Sequence, residues 1–130
     1  MASTSLTLQL LTESFAIHSL SLDSRIPQTV FDSPIFFIAK TYDEISIVLP
    51  ERITIESEDV EKQWRALEVV GPLGFSLTGI LSKISTTLAN QGISIFAIST
   101  FDTDYILVKD NMVNKATSAL RENNYHIINE

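Results

Sequence analysis

TFDTDYILV, from Thr100 to Val108, has a shortened copy earlier in the chain, TYDEISIV from Thr41 to Val48. An apolar stretch precedes each, ISIFAIS from Ile93 and IFFIAK from Ile35. Each copy reads strand, acidic turn, strand. Duplicated units usually cannot bury their apolar faces alone and pack on one another. Two short α/β modules fused in tandem are therefore expected. Glu51 to Gln63 is acid-rich and resembles a connector, and the boundary is placed there, with residues 1–60 as a reduced N-terminal module and 61–130 as the fuller one.

The second module is the better patterned. WRALEVV, from Trp64, alternates Leu67 and Val69 on one strand face with Ala66, Glu68 and Val70 on the other. GPLG interrupts it. From Phe75 onward Leu77, Ile80, Leu81, Ile84 and Leu88 recur at three- and four-residue spacing, the stripe of an amphipathic helix on a sheet. Gly92 stops that helix. ISIFAIST is apolar on both alternating faces, as a central strand covered on both sides would be, and YILV answers it across FDTD. Asp110 is placed to cap a last helix carrying Met112, Val113, Ala116, Ala119 and Leu120, and HII follows the Asn123–Asn124 break as a final strand. The order is β-α-β-β-α-β, ferredoxin-like. In the first module LTLQLL and FAIHSL read as two short strands separated by Thr12, Glu13 and Ser14, and at most a short turn of helix fits between Pro27 and Pro34.

Composition bounds the chemistry. The chain has 130 residues, long enough to bury a core without staples, and no cysteine, so disulfides, thiol catalysis and Cys-based metal sites are excluded. Sixteen acidic against nine basic residues give a net charge of −7, and no segment clusters Lys and Arg. Nucleic acid and anionic membranes are thus not expected as partners. MASTSLTLQLL lacks the basic start of a secretory signal, and no apolar run reaches the length of a membrane span, so a soluble, cytoplasmic protein is expected. His18 and His126 are isolated, Ser46 and Ser94 have no nucleophile-elbow context or paired base, and there is no phosphate-binding or dinucleotide loop. No enzyme machinery and no cofactor are expected.

WRALEVVGPLGFSLTGILSKISTTLANQGISIFAISTFDTDYILVK, with FAIHSL…IP and KTYDEISIVLPE before it, resembles the tandem ACT-domain family, which includes bacterial ACT-like proteins and the CASTOR-type arginine sensors of animals. The resemblance spans nearly the whole chain and is strongest at GPLGFSLTGIL and ISTFDTDYILV. It implies an α+β fold of two ferredoxin-like βαββαβ modules, the first reduced, with antiparallel sheets and helices on one face. It also implies a non-catalytic regulatory protein that binds an amino acid or similar metabolite between modules and acts on a protein partner or on its own dimerisation. The family motif often carries an acidic residue where this chain has Gly74.

Two turns are the candidate site. At GPLGFSLTG a glycine-containing strand-to-helix turn exposes backbone N–H groups at the positive end of a helix, so Leu73, Gly74, Phe75 and Ser76 can present donors to a carboxylate. The plainer reading is a tight turn with Ser76 or Thr78 as the cap. Gly79 is read as lying one turn into the helix. At FDTD, Thr100, Asp102, Thr103 and Asp104 concentrate oxygen acceptors suited to an ammonium or guanidinium group, although Asp and Thr also serve as ordinary turn residues bonded to their own backbone. The alternative function is an interaction module without a ligand, pairing through a sheet edge. Trp64 and Phe75 are expected in the core rather than on a ligand.

Overall fold

The computed structural model describes residues 6–71 and 79–130. The elements run β1 (Thr7–Leu20), α1 (Gln28–Phe31), β2 (Phe37–Lys40), β3 (Ile45–Pro50), β4 (Asp59–Gly71), α2 (Ile80–Ala89), β5 (Phe96–Ser99), β6 (Asp104–Lys109), α3 (Val113–Glu122) and β7 (His126–Asn129), with a 3₁₀ turn over Asp110–Met112. Contacts divide the chain into one compact unit of Met1–Thr12 with Arg65–Glu130 and a second of Glu13–Trp64. Both β1 and β4 therefore contribute residues to each unit. The boundary between residues 60 and 61 read from the sequence falls inside β4.

β1 replaces the two short strands expected there. Thr12, Glu13 and Ser14 do not break it, because the strand changes partners across them. Thr7–Leu10 pair in parallel with His126–Asn129, and Phe15–Leu20 pair antiparallel with Ile45–Pro50. In between, the Thr12 N–H donates to a Glu130 carboxylate oxygen at 2.7 Å and the Ser14 carbonyl accepts from the Glu51 N–H at 2.8 Å. These bonds occupy two backbone groups that a turn would otherwise use. Likewise β4 begins at Asp59, so much of the supposed acidic connector is strand, and the true connector between β3 and β4 is shorter.

In the Glu13–Trp64 unit the strand order is β4-β1-β3-β2. That is the ferredoxin-like order, with the connector standing where a second helix would be. Prolines on either side keep α1 to four residues, yet Val30 of this turn is fully buried. It meets Leu20, Ile45, Ile47 and Leu49, with Ile26, Phe36, Ile38, Ile53 and Ile55 packed around them.

The larger unit runs β4-α2-β5-β6-α3-β7 along the chain, as expected, but in space its order is β7-β1-β4-β6-β5. The N-terminal part of β1 separates β7 from β4, where a ferredoxin-like module would pair the two directly. β5 is not the central strand its apolar run suggested; it lies at the end of the order, four residues long and nowhere fully buried. The burial falls earlier, on Ile93. Both helices pack on one face: Ile84 and Leu88 of α2, and Val113, Ala116 and Leu120 of α3, share a core with Leu67, Val69, Ile106, Val108 and Ile127.

Helix ends follow local chemistry with two corrections. Gly79 is not one turn inside α2 but immediately before it, at φ 83°, which glycine adopts without steric cost. Asp110 makes no capping bond to α3, because the 3₁₀ turn intervenes; its carboxylate is 3.5 Å from Arg65. Both C-termini close as Schellman motifs. Gly92 N–H donates to Ala89 and Ile93 N–H to Leu88 after α2; Asn124 N–H donates to Arg121 and Tyr125 N–H to Leu120 after α3. Asn124 holds the left-handed position at φ 71°. Among the described residues no helix is long and apolar enough to cross a membrane.

Asn124 is exposed, so substitution there isolates the backbone term. Asn124→Ala is expected to lower unfolding free energy by about 1 kcal/mol and Asn124→Gly to leave it unchanged or raise it, measured by urea denaturation.

Candidate functional site

The two hairpins carry the same turn. In the first, Phe37, Ile38, Ala39 and Lys40 face Val48, Ile47, Ser46 and Ile45; in the second, Phe96, Ala97, Ile98 and Ser99 face Leu107, Ile106, Tyr105 and Asp104. Every pair is displaced along the chain by the same amount, with no gap. The turn bonds match as well. Thr41 N–H donates to the Glu44 carbonyl at 2.9 Å, and Thr100 N–H to the Thr103 carbonyl at 2.8 Å. Thr41 Oγ1 accepts from the Glu44 N–H, and Thr100 Oγ1 from the Thr103 N–H, each at 3.2 Å. Threonine suits the first place in both turns because its hydroxyl substitutes for a backbone acceptor.

The inward positions differ. Ile45 is buried in its unit's core, whereas the corresponding Asp104 is half-buried and accepts a hydrogen bond from Ser99 Oγ at 2.5 Å. Beside Asp104 opens a cleft of about 200 Å³ lined by Val69, Ile80, Thr100, Phe101, Asp102, Thr103 and Asp104. Three elements of the larger unit make it: the β5–β6 turn, the strand β4 through Val69, and the first residue of α2.

Of the residues expected from the sequence, Thr100, Asp102, Thr103 and Asp104 meet at this cleft. Leu73, Gly74, Phe75 and Ser76 lie outside the described residues. The structure separates the four turn residues by role. Thr103 Oγ1 donates to the Val69 carbonyl at 2.5 Å, tying the turn to β4, and Thr100 Oγ1 donates to the Thr103 carbonyl at 3.0 Å. Their hydroxyl protons are already used. Among the described side chains lining the cleft, what remains are acceptors, the Asp102 carboxylate and the second oxygen of Asp104. The chemistry on offer is acceptance from a hydrogen-bond donor, strongest when that donor is charged.

Phe101 was missed. It is fully solvent-exposed at the lip of the cleft, and Tyr42 is equally exposed at the matching place in the other turn. The signal was in the sequence, as an aromatic residue set inside an acidic turn twice. Glu68 and Tyr105 were also missed. The Tyr105 phenol is raised above its ordinary pKa by burial, then by the adjacent Glu68 carboxylate, to which it is hydrogen-bonded, and then by Asp102. Trp64 is buried, as expected of a core residue. Among the described residues no group of three or more His, Cys, Asp or Glu is arranged to hold a metal ion.

Residues 59–122 match the ACT domain model. A crystal structure of a protein from Agrobacterium tumefaciens is similar to nearly the whole chain, with 32% identity and a TM-score of 0.88, covering 98% of this chain and 96% of that one. The regulatory subunit of aspartate kinase from Thermus thermophilus, in its ligand-free form, is similar at a TM-score of 0.60 and 14% identity, covering 93% and 98%. A Vibrio cholerae protein of unknown function, described as a possible transport protein, is similar at a TM-score of 0.65 and 19% identity, covering 91% and 89%. These last two likenesses are of fold. With an ACT domain over residues 59–122 and a relative alike from end to end, the chain belongs to the ACT-domain family.

Proposed function

We propose that this protein is a non-catalytic regulatory protein that binds an amino acid, using two tandem ACT modules of which the first is reduced. The observation that carries the reading is the cleft at Thr100–Asp104, whose hydroxyl donors are spent internally while two carboxylates still have oxygens to offer. An α-ammonium or a basic side chain fits that arrangement. Phe101 adds an aromatic face on which a cation can rest. The donor side of the site is assigned to Leu73, Gly74, Phe75 and Ser76, which would receive the ligand carboxylate. The matched register and turn bonds of the two hairpins support the tandem reading.

Regulation follows by linkage. A ligand can shift a two-state equilibrium only by its differential affinity for the two states, so an amino acid acts here by favouring one partner-binding or oligomeric state. The fold of the Thermus thermophilus regulatory subunit supports the regulatory reading, and the resemblance to arginine sensors puts basic amino acids first among candidates.

A thermal-unfolding panel of the twenty amino acids is expected to give one selective stabilisation. A ligand at a hundred times its dissociation constant contributes about 2.7 kcal/mol, or several degrees for a chain of this size. A flat panel would move the reading to an interaction module without a ligand.

Asp104→Asn is expected to weaken a cationic ligand by about 1.5–3 kcal/mol and a neutral one by much less. Isothermal titration with both kinds of amino acid measures the difference, and equal losses would remove the ionic role. Thr103→Val, which cuts the turn's bond to Val69, is expected instead to lower folding stability by about 1 kcal/mol. It should leave the preference between charged and neutral ligands intact.

A further inference from the structure

The connector between β3 and β4 lies on the sheet of the Glu13–Trp64 unit without regular structure of its own. Glu51 N–H donates to Ser14, and Glu58 N–H to Ser19 at 2.9 Å, so both ends are tied to β1. Ile53 and Ile55 rest half-buried on the core between those ties. Near the second tie, His18 Nδ1 is 3.0 Å from Ser57 Oγ. The imidazole is only 5% exposed, and its Nε2 is buried with no hydrogen-bond partner among the described residues.

That geometry favours the neutral ring. A neutral ring carries one proton, and either tautomer satisfies Ser57 while leaving one nitrogen bare. A second proton would bring two donors and a positive charge to a place where the serine oxygen is the partner at hand. The surroundings oppose the charge. β3 presents Ile47, the register partner of His18, with Ile45 and Leu49 on the same face. α1 contributes no titratable group, and β4 contributes the Lys62 ammonium. From the connector itself come Glu56 and Glu58, both solvent-exposed.

We propose that His18 and Ser57 form a proton-operated latch: the neutral ring holds the 51–58 connector on the sheet, and protonation releases it and uncovers the apolar core beneath. The direction of titration agrees. Burial, and then the charge on Lys62, lowers the His18 pKa from its ordinary 6.5. The closed form thus binds the proton less tightly than the open form. Its stability is whole above pH 6.5 and is lost as pH falls below that value through the lower closed-state pKa. No ligand is required, so the device stands apart from the amino-acid reading.

Hydrogen exchange of the intact protein, resolved by peptide and corrected for intrinsic rates, tests the latch between pH 7.5 and 5. In the wild type, opening of the 51–58 connector should rise by up to about tenfold per pH unit below 6.5 while β6 and α3 keep their protection. In His18→Gln, which can bond Ser57 but cannot take the charge, that dependence should vanish. In Ser57→Ala the connector should already exchange faster at pH 7.5, which provides a second test should the glutamine variant fail to fold. The chain has two histidines, so the His18 ring resonance can be followed directly by NMR. A His18 pKa at or above 6.5, or the same pH dependence in His18→Gln, would overturn the proposal.

Discussion

Strand β1 offers its residues to different partners at its two ends. Thr7–Leu10 run parallel to β7, and Phe15–Leu20 run antiparallel to β3, with β4 as a further neighbour. The last strand of the larger unit consequently has β1 rather than β4 to pair with. The first strand of the smaller unit is likewise the continuation of a strand belonging to the other. Polar residues at Thr12–Ser14 are tolerated mid-strand because the exchange of partners occurs there, with Glu130 and the Glu51 N–H supplying bonds to the backbone. Arg65 supports the same region, donating to the Leu11 carbonyl at 2.9 Å while its other nitrogen approaches Asp110.

On this frame the two hairpins keep one geometry and diverge in chemistry. Register and two of the turn bonds are the same, and an exposed aromatic stands at each tip. Ile45 fills a core where Asp104 faces a cleft, and Lys40 stands where Ser99 donates to Asp104. Two paired positions thus differ, one pair built for packing and the other leaving a carboxylate at the cleft that the proposed reading uses for recognition. Burying Ile45 supports the smaller unit, which has a four-residue helix and the irregular 51–58 connector to cover its sheet. The larger unit has two full helices over its core and can leave a carboxylate half-exposed at its edge.

The sequence was most legible where local chemistry is self-contained. The stripe of α2, the Gly92 stop, the Asn123–Asn124 break and the short α1 between prolines all follow from spacing and backbone preference, and the structure has them. Pairing was less legible. An apolar run such as ISIFAIST does not reveal whether its strand is central or at an edge, because Ile93 and Ile95 reach the core before the strand begins. Nor do Thr12, Glu13 and Ser14 announce a change of partner, which depends on residues more than a hundred positions away. At the site, acidic turn residues were readable as a group. Their division into Thr100 and Thr103 as fasteners and Asp102 and Asp104 as available acceptors depends on hydrogen bonds within the turn and across strands.

The central claim is that an amino acid is recognised at the Thr100–Asp104 turn. Backbone NMR of labelled protein, titrated with each of the twenty amino acids, tests it most directly. The expected result is one amino acid whose saturable shifts centre on Thr100–Asp104, Ile80 and the GPLGF segment while α3 stays unmoved. Saturable shifts centred elsewhere, or none with any amino acid, would contradict it.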